Sequence, residues 1–156
     1  MIKVIAVGKI KESALETLMT DYQHRIEPYS KIMVESLKDE PTSEDTSLNQ
    51  LAIETECQAI LSRIKNEDYV ILLELKGKLI DSESLAQEIQ KGYNQSSKNI
   101  VFVIGGSMGV NDSVRQRANI LWKLSANTFP HQIVRLLVLE QIYRSFRILN
   151  NHPYHK

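Results

Sequence analysis

The last five residues, His152-Pro153-Tyr154-His155-Lys156, gather an aromatic ring, two imidazoles and an ammonium beside the terminal carboxylate. Such groups stack on a base, move a proton or hold a phosphate. The competing reading is a solvated chain end of chance composition, since termini are usually bland. A second candidate is the cluster Gly105-Gly106-Ser107-Met108-Gly109. Glycines let a ligand approach the backbone closely, so the cluster suits a nucleotide-like ligand held by main-chain groups. It is not a dinucleotide fingerprint, because Ile104 stands where the first glycine would fall and no acidic residue follows at the ribose-binding distance. A purely structural turn is the alternative. Ser107 lacks the G-x-S-x-G context of a hydrolase nucleophile.

Metal chemistry finds no support. His24, His131, His152 and His155 have no partner at ligand spacing, and Cys57, the one cysteine, cannot build a zinc site. Cys57 shares an apolar helical stripe with Ile53, Ile60 and Leu61, which marks it as a small core residue. A lone cysteine also excludes an intrachain disulfide and suits a reducing compartment. The apolar opening from Ile2 to Gly8 is too short for a membrane span or a signal-peptide core, and is expected to be the first strand of a cytoplasmic protein.

Formal net charge is zero, but its distribution is uneven. The first 109 residues carry 12 basic and 17 acidic side chains, whereas residues 110–156 carry 7 basic and 2 acidic. The C-terminal part can therefore present a positive face to phosphates; ordinary solvated helix charge is the bland alternative.

Strand and helix signals alternate throughout. Apolar runs at 2–7, 31–37, 69–75, 99–104 and 120–124 read as strands. Helical stripes fall between them, ended by Pro28 and capped by Asp81 or Ser82 and by Asn111 or Asp112. Lys76-Gly77-Lys78 is expected to turn the chain. No linker divides it, so residues 1–156 are expected to form one domain. The pattern predicts an α/β fold in three layers around a mainly parallel five-stranded sheet. Ligands in such sheets bind beyond the carboxyl ends of the strands, which points at 73–77, 105–109 and 124–130 together. The last helix, from about His131 to Leu149, is apolar nearly all round, and a second subunit is expected to cover it.

Five segments in order resemble one family. They are Ile2-Lys3-Val4-Ile5-Ala6-Val7-Gly8-Lys9, Phe102-Val103-Ile104-Gly105-Gly106-Ser107-Met108-Gly109, Thr128-Phe129-Pro130-His131-Gln132, Leu139-Glu140-Gln141-Ile142-Tyr143-Arg144 and Pro153-Tyr154-His155-Lys156. The chain resembles, over its whole length, the RlmH (YbeA-type) ribosomal RNA methyltransferases. The resemblance implies a SPOUT fold with a C-terminal trefoil knot and a homodimer. It also implies methyl transfer from S-adenosylmethionine to N3 of a pseudouridine in helix 69 of large-subunit rRNA, within the assembled ribosome. Carried over, it places the cofactor at Leu73, Gly105, Leu124, Ser125, Ala126, Asn127, Thr128 and Phe129. The chemistry of that reaction needs a base and a cationic donor, which puts forward His155 or Tyr154 as proton acceptor or base positioner, with Tyr154 alternatively a stacking platform, and Arg144 as oxyanion stabiliser, with Arg135 and Arg115 for phosphate. A structural pair across the dimer is the alternative for the arginines of the last helix. Neither a metal nor a membrane is involved. A non-catalytic ribosome-binding factor and a nucleotide-dependent oxidoreductase are the rival classes.

Overall fold

The computed structural model describes residues 1–155. Strands and helices alternate: β1 (Ile2–Val7), α1 (Ser13–Ile26), β2 (Ile32–Leu37), α2 (Thr46–Leu61), β3 (Tyr69–Leu79), α3 (Ser82–Asn94), β4 (Ile100–Ile104), α4 (Asp112–Arg117), β5 (Ile120–Lys123) and α5 (His131–Leu149). Every strand pairing is parallel, in the order β2-β1-β4-β3-β5.

Period-two alternation divides the apolar strand residues between two cores. Ile2, Val4, Ala6, Tyr69, Ile71, Ile100 and Phe102 pack with Met19 and Ile26 of α1, Leu85 and Ile89 of α3, and Val138, Leu139, Ile142 and Phe146 of α5. Ile5, Val7, Val70, Leu72, Val101 and Val103 face Cys57 and Ile60 of α2 and Val114 of α4. The central strands are therefore apolar on both faces, as strands covered by helices on both sides must be. Asp45, Asp81 and Asn111 cap α2, α3 and α4 by accepting from the amides of Ser47, Ser84 and Val114. Each cap contributes about 1 kcal/mol by pairing an amide that the helix leaves open.

One expectation changes. Lys76-Gly77-Lys78 does not turn the chain: β3 continues to Leu79, and Leu73 and Lys78 both stand opposite Trp122. Residues 74–77 thus bulge from the ladder, which resumes because Leu79 still finds a partner in Lys123. Helices α1 and α3 flank α5 and bury Val138, Leu139, Ile142 and Phe146, while Ile133, Leu136, Leu137, Tyr143 and Leu149 stay partly exposed.

After edge strand β5 the chain doubles back. His131 reaches Gly105 behind β4, and Arg135 reaches Val7 and Gly8 behind β1. The connecting segment 124–130 therefore passes across the carboxyl end of β3.

Candidate active site

This path builds a two-lobed cleft at the strand ends. Leu73, Glu74 and Leu75, leaving β3, form the wall common to both lobes. Leu124, Ser125, Asn127, Thr128, Phe129 and Val134 enclose the first lobe. Ile104, the glycine turn, Val110 and His131 enclose the second. Alternation along β3 separates the two: Leu73 packs toward α5, and Glu74 lies on the α4 side. Of the residues the resemblance put at the cofactor, the fold brings Leu73, Gly105, Leu124, Ser125, Asn127, Thr128 and Phe129 into this cleft. Ala126 is exposed and outside its lining.

The second lobe is built mostly of backbone. The Gly109 amide donates to the Gly106 carbonyl at 3.0 Å, and Gly109 adopts φ +80, which a residue with a Cβ rarely tolerates. A Cβ on Gly105 would stand 2.7 Å from Cγ1 of Val110. The turn is held from above, where His131 Nε2 lies 2.5 Å from the Gly105 carbonyl oxygen. Burial pushes the His131 pKa below its ordinary value, which leaves a neutral ring that donates from Nε2. Beneath the turn sits Glu56, only 4% exposed, whose Oε1 accepts the Glu40 amide at 2.8 Å. Burial pushes its carboxyl pKa up, and its Oε2 has no hydrogen-bond partner among the described residues.

Of the two arginines offered for phosphate, one is buried and the other is already paired with two carboxylates. Arg135 is buried and donates from Nη2 to the carbonyls of Val7 and Gly8, 2.6 Å each, and from Nη1 to Ser36 Oγ at 3.1 Å. It clamps the end of β1 to α5. Arg115 donates from Nε to Glu74 Oε2 at 2.7 Å and from Nη1 to Asp112 at 2.9 Å; these carboxylates hold its guanidinium above its ordinary pKa. It braces α4 against the cleft wall.

The tail folds back onto α5 instead of fraying. Tyr29 stacks on Phe146 and its hydroxyl meets His152 Nδ1 at 3.0 Å. Tyr154 sits edge-on to Tyr143 with centroids 4.9 Å apart, lies under the Arg144 guanidinium at 4.6 Å, and donates to Glu140 Oε1 at 3.2 Å. Arg144 pairs with the same Glu140 carboxylate and approaches His155 Nδ1 at 3.4 Å, and His155 Nε2 lies 3.7 Å from Glu83. Tyr154, His155 and Arg144 are therefore one cluster, while Lys156 lies outside the described residues. Burial, then the neighbouring Tyr22 and Glu140, push the Tyr154 pKa up, so it remains a phenol near neutral pH. The cluster is not part of the cleft wall. Arg144 stands about 20 Å along the axis of α5 from His131, at 1.5 Å per residue.

Glu74, Glu56 and the carbonyl-bound His131 escaped sequence reasoning. Glu74 reads as one polar residue in an apolar run, and Glu56 lies in an ordinary helical stripe. His131 belonged to a segment already singled out, but nothing in its spacing revealed a partner at Gly105. Among the described residues, no three His, Cys, Asp or Glu side chains converge as a metal site, and no helix is long and apolar enough to cross a membrane.

A parallel α/β sheet whose last connection crosses the strand ends to enclose a glycine-lined cleft is the arrangement of a SPOUT methyltransferase. The family model described as "Predicted SPOUT methyltransferase" matches residues 1–155, and the chain belongs to that family. It is 43% identical, over 99% of each chain, to a Methanococcus vannielii protein named "Putative ribosomal RNA large subunit methyltransferase H", which supports placement in the RlmH family. Among solved structures it resembles one described as "a probable methylase family protein" from Haemophilus influenzae Rd KW20. That likeness has a TM-score of 0.51 at 13% identity and covers 96% of this chain and 66% of the other, and it concerns the fold alone.

Proposed function

We propose that this chain methylates N3 of a pseudouridine in helix 69 of large-subunit ribosomal RNA, within the assembled ribosome, using S-adenosylmethionine. In this reading residues 1–156 form one SPOUT domain with the family's trefoil threading, acting as a homodimer in the cytoplasm. The observation that carries it is the convergence of Leu73, Gly105 and most of the 124–129 segment on one cleft, in a chain 43% identical to a relative named "Putative ribosomal RNA large subunit methyltransferase H".

The residues present fit the cofactor. Leu73, Leu75, Leu124, Phe129 and Val134 offer an apolar slot for a purine, and the main-chain groups of 124–129 can read its edge. In the glycine turn a Cβ at Gly109 would meet nothing within 4 Å, so a ligand can lie against the backbone there, while Gly105 packs directly against Val110. Bound there, S-adenosylmethionine supplies an electrophilic sulfonium methyl group.

The chain's own task is to orient the base, exclude water and manage a proton. N3 of a uracil-type base is a weak acid, so its proton must leave as charge builds on the ring oxygens. His155 is the candidate acceptor. Tyr154, held as a phenol, positions or stacks the base, and Arg144 faces the developing charge. Because this cluster stands well along α5 from its own cleft, the tail of one subunit serves the cleft of the other. Calorimetric titration with S-adenosylmethionine tests the reading: saturable binding of one cofactor per cleft is expected, and a folded protein that binds none would overturn it.

A further inference from the structure

Glu74 lies at the junction of the two lobes and belongs to the lining of both. Its side chain is 11% exposed. Both of its oxygens are fixed, Oε2 by Arg115 Nε at 2.7 Å and Oε1 by the Lys76 amide at 3.3 Å. Arg115 does not cancel the local charge, because it also pairs with Asp112. Two carboxylates thus share one guanidinium, and an excess negative charge remains. Asp112 is 85% exposed, so Glu74 is the sheltered carboxylate of the two and the one that lines the cleft.

A ligand occupying both lobes passes the wall that they share, and Glu74 is the one charged residue among the three that form it. In S-adenosylmethionine the middle is the sulfur, which joins the adenosyl half to the methionine half. We infer that Glu74 sets the charge preference of the cleft: its carboxylate favours the sulfonium methyl donor over the neutral thioether product. This inference rests on the function proposed above.

It has a consequence for turnover. In methyl transfer N3 forms the new N–C bond while the S–C bond breaks and its electron pair stays on sulfur; the N3 proton passes to the base. Sulfur thereby loses its positive charge. The attraction to Glu74 ends with the chemistry, so the spent cofactor is released more readily than the fresh one. A carboxylate already fixed by Arg115 and Lys76 needs no rearrangement to act this way.

The experiment is a set of calorimetric titrations of S-adenosylmethionine and S-adenosylhomocysteine into the native chain, Glu74→Gln and Arg115→Met, with thermal melting to verify folding. In Glu74→Gln the ratio of the two affinities should shift by about tenfold against the sulfonium, the change that about 1.4 kcal/mol produces. Arg115→Met, which bares the carboxylate, should shift the same ratio the other way. An equal loss for both ligands in Glu74→Gln would mean that Glu74 holds a group common to them, such as the ribose hydroxyls, and would overturn the inference. If Glu74→Gln fails to fold, Arg115→Met decides, and an unchanged ratio there also overturns it. Absence of S-adenosylmethionine binding by the native chain would instead sink the proposed function.

Discussion

His131 and Gly105, 26 residues apart in sequence, meet through a 2.5 Å contact between the imidazole Nε2 and the main-chain carbonyl. This contact joins the first residue of α5 to the turn after β4. It turns two loops, from opposite sides of the cleft, into one rigid rim. The placement of the cleft depends on it more than on any side chain that resemblance alone put forward.

The rim should respond to acid. The folded His131 pKa lies below its unfolded value, so around the ordinary imidazole pKa the unfolded chain binds more protons. Stability therefore rises with pH there, and falls as pH drops below about 6.5 until the folded pKa is passed. Melting temperatures between pH 7.5 and 5 should decline more steeply for the native chain than for His131→Gln, whose amide can still donate to the Gly105 carbonyl. Parallel curves would show that His131 is not the titrating group.

Gly105→Val should abolish measurable cofactor binding while leaving the fold in place. The new Cβ would stand 2.7 Å from Val110 Cγ1, so Val110 and the turn that line the cleft must shift to admit it. Affinity is expected to fall at least about a hundredfold, the equivalent of two tenfold steps. Unchanged binding in a folded variant would remove Gly105 from the pocket.

Arg135→Met should behave as a stability variant, not as an RNA-binding variant. Removing the guanidinium strands the carbonyls of Val7 and Gly8 in a buried setting. At about 1–3 kcal/mol for each unsatisfied group, a loss near 3 kcal/mol is expected in urea unfolding. Were Arg135 a phosphate contact, stability would hold and the salt dependence of ribosome binding would flatten.

Deleting residues 153–156 should separate binding from catalysis. The loss of the Tyr143–Tyr154 and Arg144–Tyr154 contacts should cost about 1 kcal/mol of stability. Cofactor affinity should stay nearly intact, whereas methylation should fall by about 10²–10⁴-fold, the range for losing a positioned acid–base group. Tyr154→Phe should retain most activity, because a ring is enough for stacking. A deleted chain that methylates at the native rate would contradict the role assigned to the tail.

What sequence could and could not reveal follows physical lines. Runs such as Val70–Leu72 and Ile100–Ile104 are apolar on both faces, so a covered parallel sheet was legible from them. The three strand-end loops followed from that layout before any contact was known. Arg135 misled because a basic residue on a long helix looks the same whether it meets solvent or the carbonyls of a strand 127 or more residues away. Glu74 was hidden for the same reason, since its partner Arg115 is 41 positions distant. The bulge at 74–77 escaped because Lys-Gly-Lys signals a turn locally, while the ladder partners that keep it extended lie on β5.

The most direct test is transfer of a labelled methyl group. Ribosomes lacking the modification would be incubated with the purified chain and methyl-labelled S-adenosylmethionine, and the labelled nucleotide mapped by nuclease digestion and mass spectrometry. One methyl group per ribosome is expected, on N3 of a pseudouridine in helix 69 of the large-subunit rRNA, and none with Gly105→Val. A chain that binds the cofactor yet leaves ribosomal RNA unlabelled, or labels another nucleotide, would contradict the account.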